Sequence, residues 1–158
     1  MYYARLHPVA LLVVAVVSTQ MPVAAQSSNG GRPSDATTQF TLIGVCTFPV
    51  TVSVQGSFKV LQFGDRSTVI APAQKATITN NNTGKDLTLN ITGSFHITQL
   101  PNGNSVYDVT GRNLLWGGTL PTLTLAIGNF SFTLDSSFQE VSPLQGYGTR
   151  TDVCAGLL

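Results

Sequence analysis

From Phe40 onward the chain is written in short runs of strict alternation. Val50, Val52 and Val54 alternate with Thr51 and Ser53; Leu87, Leu89 and Ile91 with Thr88, Asn90 and Thr92; Phe130, Phe132 and Leu134 with Ser131 and Thr133. A period of two places each apolar set on one face of a β-strand, so one face is buried and the other meets water. Turn signals separate the runs at the spacing of an all-β sandwich or barrel: Gly64-Asp65-Arg66, Asn80-Asn81-Asn82-Thr83-Gly84, Pro101-Asn102-Gly103-Asn104, Gly117-Gly118 and Asp135-Ser136-Ser137. The clearest predicted hairpin pairs Lys75–Asn80 with residues 85–93, because Asn and Gly accept the positive φ of a tight turn. Pro49 is expected to start a strand or lie on an edge, and Pro72, Pro121 and Pro143 to mark breaks, since proline cannot donate to a ladder. After residue 25 no apolar stripe of helical period is long enough to predict a helix. The expected fold is one antiparallel all-β domain, a β-sandwich or flattened β-barrel.

The N-terminal pattern differs. Val9–Val17 is continuously apolar, preceded by Arg5 and followed by Met21-Pro22-Val23-Ala24-Ala25, with small residues where a signal peptidase reads. A membrane span needs roughly 20 apolar residues, and this run is about half that. Residues 1–25 therefore read as a secretory signal peptide, cleaved after Ala25 to release the product to the extracellular space with no membrane association. Residues 26–38 lack apolar periodicity and read as a flexible leader; residues 39–158 are the β-domain.

Removing residues 1–25 leaves 133, enough for one core. Their seven cations (Arg32, Lys59, Arg66, Lys75, Lys85, Arg112, Arg150) match seven anions (Asp35, Asp65, Asp86, Asp108, Asp135, Glu140, Asp152). The cations are scattered, which argues against nucleic acid as a partner, because phosphate contacts need clustered Lys and Arg.

Cys46 and Cys154 are the only cysteines. In an exported protein two cysteines most simply form a disulfide, closing a loop around nearly the whole domain and drawing its first and last strands together. A metal pair would need further ligands nearby, and a redox pair the short Cys-x-x-Cys spacing. No phosphate loop, dinucleotide fingerprint, calcium loop or zinc spacing occurs, so no cofactor or metal is expected.

Candidate chemistry is sparse. His96, the only histidine after residue 25, alternates with Phe95 and Ile97 and falls on a polar strand face beside Ser94 and Thr98. A serine hydrolase would need an activated serine, and no Gly-x-Ser-x-Gly elbow supplies one. Asp65, Asp86, Asp108 and Asp152 are the carboxylates from which an acid-base pair could be drawn. Trp116, with Tyr107 and Tyr147, could form a platform for a sugar or an apolar ligand, and Gly117-Gly118 would let a ligand or backbone approach it. Core packing is the competing reading for these rings. Asn81-Asn82-Thr83, Asn90-Ile91-Thr92 and Asn129-Phe130-Ser131 match the N-glycosylation pattern, with Asn90 and Asn129 expected to face outward. Arg150 and Asp152 read as a local charge pair.

Three stretches carry a family likeness: Cys46-Thr47-Phe48-Pro49-Val50, the hairpin Asn80 to Gly93 containing Thr83-Gly84-Lys85, and Thr151-Asp152-Val153-Cys154. Over residues 45–158 the chain resembles small secreted actinobacterial β-proteins of unknown function, with a Cys-x-Phe-Pro-Val start, an Asn-x-x-Thr-Gly-Lys hairpin and a Thr-Asp-x-Cys end. The resemblance implies a bacterial exported β-domain and no catalytic residue. The functional expectation is a secreted, non-catalytic binding or interaction module for an extracellular ligand or protein. The alternatives are a small hydrolase or cyclase using His96 and a nearby Asp in a barrel mouth, and a structural cell-surface component.

Overall fold

Each alternating run becomes a strand in the computed structural model, which describes residues 32–158. The signal-like segment and the start of the leader, residues 1–31, lie outside the described residues. Eleven strands follow in chain order: β1 (Ser34–Asp35), β2 (Thr38–Leu42), β3 (Val50–Gln55), β4 (Ser57–Phe63), β5 (Arg66–Ile70), β6 (Lys75–Asn80), β7 (Asp86–Asn90), β8 (Ser94–Gln99), β9 (Ser105–Leu115), β10 (Thr124–Leu134) and β11 (Glu140–Asp152). A single 3₁₀ turn at Ala155–Leu157 is the only helical element among the described residues. The predicted hairpin is β6–β7, with Lys75 opposite Asn90.

The strands form two antiparallel sheets. The larger has the order β1-β4-β5-β8-β9-β10-β11, the smaller β2-β3-β6-β7, and neither closes into a barrel. The smaller sheet is simple to account for. Val50, Val52, Val54, Ala76 and Ile78 point inward with Phe40, Leu42, Leu87 and Leu89, while Thr41, Thr51, Thr77 and Thr88 line its outer face. The inner side chains pack on Leu114, Trp116, Leu123 and Leu125 from β9, β10 and the segment joining them. Each fully buried Val, Ile or Leu here stabilises the fold by about 1.5–3 kcal/mol.

A second core sits on the opposite face of the larger sheet. It contains Val69, Phe95, Tyr107, Val109, Leu115, Ala126, Phe130, Phe132, Leu134 and Leu144, flanked by Phe58, Val60 and Ile97. All of these come from strands of that one sheet; only Leu120, in the β9–β10 connection, joins them from outside. Side chains on one sheet face are buried here by others on the same face, so the sheet curls around its own apolar side. Its reverse face is convex, and the smaller sheet covers only the half formed by the ends of β9 and β10.

Gly111, Gly128 and Gly148 lie side by side on β9, β10 and β11. Their φ values of 80°, 144° and 141° belong to glycine alone. A β-carbon on Gly128 would collide with the Tyr147 carbonyl oxygen, and one on Gly148 with that of Ile127.

At the start of the described chain, β1 pairs Ser34 and Asp35 with Phe58 and Ser57, and β2 begins at Thr38. Backbone pairing and the Asp35 carboxylate, which accepts from the Thr37 hydroxyl at 2.7 Å and amide at 2.9 Å, hold a segment that has no apolar rhythm of its own. Two expectations need correction. The disulfide joins Cys46 and Cys154 with Cα atoms 5.6 Å apart, yet Cys46 lies in the connection between β2 and β3 and Cys154 just after β11. It therefore ties a loop to the end of the last strand rather than the first strand to the last. Pro143 lies inside β11 instead of breaking it. β11 is an edge strand and its register with β10 shifts between Gln145 and Ser142, so no ladder donor is needed there.

No helix of the described residues is long and apolar enough to cross a membrane.

Candidate functional site

The aromatic residues singled out in the sequence do not assemble into one platform. Trp116 is 3% exposed in the core between the sheets, with its ring 5.8 Å from that of Phe40. Tyr107 is in the other core, stacked on its cross-strand neighbour Phe132 at 5.0 Å, and burial raises its phenol pKa. The two residues are nine apart, an odd separation along a strand, so they face opposite ways. What approaches Gly118 is not a ligand but the Glu140 carboxylate, which also accepts from the Thr119 amide at 3.1 Å.

Tyr147 and His96 have a different fate. Both are exposed, Tyr147 by 74%, and both lie on the convex face of the larger sheet. The register shows how. One cross-strand row runs Thr68, His96, Asp108, Ser131, Gln145 over β5, β8, β9, β10 and β11; the next runs Ile70, Ser94, Thr110, Asn129, Tyr147. Alternation sends Phe95, Val109 and Phe130, the residues between, into the core beneath.

Hydrogen bonds link the polar side chains into short chains. His96 Nδ1 is 3.2 Å from Thr68 Oγ1, His96 Nε2 is 3.4 Å from Ser94 Oγ, and Ser94 Oγ is 2.7 Å from Thr110 Oγ1. Asn129 Nδ2 donates to the Tyr147 hydroxyl at 3.3 Å. Asp108 is the direct cross-strand neighbour of His96. The other three carboxylates lie elsewhere: Asp65 in the β4–β5 turn, Asp86 on β7 of the smaller sheet, and Asp152 at the end of β11, accepting from the Ala155 amide at 3.2 Å. Arg150 does not pair with Asp152. Its guanidinium lies 5.0 Å above the Phe130 ring and donates to the Leu144 carbonyl at 3.0 Å. Stacking on a buried ring while satisfying a carbonyl keeps more contact than a solvated charge pair would.

Chemically this face is open and amphoteric. Ser and Thr hydroxyls donate and accept, the Asn129 amide does both, and His96 offers one of each in its neutral form. Asn129 faces outward, and Asn90 is also exposed. A small cavity lies elsewhere, at the seam of the two cores, with about 10 Å³ open to the centre of a water molecule. It is lined by Gln74, Asn113 and apolar neighbours such as Ile91 and Phe95, a space for one water rather than for a larger ligand. Among the described residues no group of three or more His, Cys, Asp or Glu side chains is placed to hold a metal ion.

Sequence reasoning named His96 and Tyr147, set Ser94 beside His96 and turned Asn129 outward, but did not join them with Thr68, Thr110 and Ser131. Their signal is the polar half of each alternating run, and it becomes a surface only once the strand order and register are known. Comparison with protein-family models, curated proteins and solved structures found no match for the chain.

Proposed function

We propose that this chain is an exported, non-catalytic binding domain that holds a polyhydroxylated ligand, such as an extracellular glycan, against the convex face of its larger sheet. One observation carries the reading: the Thr68–His96–Ser94–Thr110 chain and the Asn129–Tyr147 pair lie on the part of the sheet that the second sheet leaves uncovered. Sugar hydroxyls need partners that donate and accept at short spacing, and a neighbouring aromatic ring for their apolar edges. This face offers both. Export rests on the apolar run after Arg5 and the small residues before Gln26, and the disulfide is compatible with it. A bacterial, actinobacterial source rests on the motif resemblance alone.

The hydrolase alternative draws on the juxtaposition of His96 and Asp108. Against it, the convex face lacks the enclosure that strengthens acid-base catalysis.

The test is binding of the purified protein to a panel of bacterial wall and capsular polysaccharides by affinity electrophoresis, with product analysis of each glycan after incubation. Tyr147→Ala and His96→Ala are each expected to weaken the interaction about tenfold, as loss of one to two kcal/mol of stacking or hydrogen bonding would. Their melting curves should stay near the parent's. Absence of binding to every glycan would overturn the reading, and cleavage of one would favour the hydrolase.

A further inference from the structure

The far edge of the larger sheet is built unlike the others. β1, at one edge, has two residues, and the edges of the smaller sheet, β2 and β7, have five each. β11 has thirteen. All eight residues from Gln145 to Asp152 are exposed, yet they form an unbroken ladder with Ser131 to Thr124 of β10. Half the backbone donors and acceptors of such a strand point away from its sheet and invite another strand.

Proteins normally guard an edge with proline, a bulge, a lysine or a covering loop. On β11 the proline and the register shift are confined to the first residues, near Pro143. Beyond them the only cation is Arg150, drawn back over Phe130 and bonded to the Leu144 carbonyl. Among the described residues nothing else guards residues 145–152.

We infer that β11 pairs antiparallel with β11 of a second copy of the chain, joining two seven-stranded sheets edge to edge about a two-fold axis at Gly148. The choice of occupant comes from the strand's match to itself. In that register Gln145 faces Thr151 of the other copy, Tyr147 faces Thr149, Gly146 faces Arg150 and Leu144 faces Asp152. An aromatic opposite a β-branched residue is a favourable cross-strand pair, and it occurs twice by symmetry. Arg150 meets a residue without a side chain, and no like charges fall opposite or diagonal to one another. Pro143 and the register shift stay outside the paired segment.

The experiment is sedimentation of the purified protein over a range of concentrations, combined with amide hydrogen exchange. The expected result is a monomer-dimer equilibrium in which exchange of residues 144–152 slows as concentration rises. Thr149→Lys with Thr151→Lys places four lysines around the axis and is expected to raise the dimer dissociation constant about tenfold or more, while Thr149→Val with Thr151→Val keeps the dimer. A parent that stays monomeric at every concentration overturns the inference; protection of β11 in such a monomer would assign the edge to another segment of the same chain. A dimer that leaves the β11 amides unprotected also overturns it. The exchange measurement on the parent decides the matter even if the lysine variant fails to fold.

Discussion

Phe138 occupies a conformation that its side chain opposes. Its φ is 59°, in the left-handed region, and its ring is 58% exposed. The turn explains the geometry. Asp135 and Gln139 close it through Asp135 N to Gln139 O at 2.9 Å, Phe138 N donates to Asp135 O at 3.0 Å, and the Asp135 carboxylate accepts from the amides of Ser137 and Gln139. This is a three-residue hairpin loop whose last position ordinarily takes glycine. A non-glycine residue there costs about 1–2 kcal/mol, and glycine returns part of that gain through the entropy of the unfolded chain. Phe138→Gly is therefore expected to stabilise the protein by about 0.5–1 kcal/mol, read as a rise in urea midpoint at constant slope. A lower midpoint would mean that the ring's partial packing outweighs the strain.

Among the elements, the second half of β10 was legible as a strand from the alternation of Phe130, Phe132 and Leu134, but β9 and what the two strands build were not. In β10, Ala126, Phe130, Phe132 and Leu134 share one face along the whole strand, as period two demands. The reverse face changes character midway: Leu125 and Ile127 pack toward the smaller sheet, while Asn129, Ser131 and Thr133 lie beyond it. The reading from sequence found the apolar half of that pattern and grouped Trp116 with Tyr107, although their odd separation already set them on opposite faces. It could not align His96 with Thr68, which is 28 residues away, because register is a property of pairs of strands. The glycine row marks the change of character. Gly128 holds a φ of 144°, and any β-carbon there would strike the backbone of β11. Gly128→Ala is expected to cost about 2 kcal/mol or more, since it combines backbone strain with a contact that only movement of β11 can relieve. Equilibrium unfolding measures the cost. A loss below about 0.5 kcal/mol would show that this close approach of β10 and β11 does not need glycine.

At the scale of the whole molecule, the disulfide closes a loop with a sequence separation of 108, and chain entropy assigns such a link about 4–5 kcal/mol as an upper figure. Net stability of a domain this size is only about 5–15 kcal/mol, so its removal should be felt throughout. The end of the chain is nevertheless held by other means: Leu157 is fully buried, Asn80 Nδ2 donates to the Leu157 carbonyl at 3.0 Å, and Val153 N donates to Leu123 O at 2.9 Å. These contacts separate two accounts of what the bond does. If it acts on the unfolded chain, Cys46→Ser with Cys154→Ser should lower the opening free energy of amides in the slowest-exchanging strands, β3 and β10 included, by about 3–4 kcal/mol, with the tail still docked. If it acts only as a local clasp, faster exchange will stop at residues 43–48 and 153–158. The first outcome is expected, because the contacts of Leu157 and Val153 suffice to keep the tail in place, whereas nothing but the disulfide restricts the unfolded chain over so long a span.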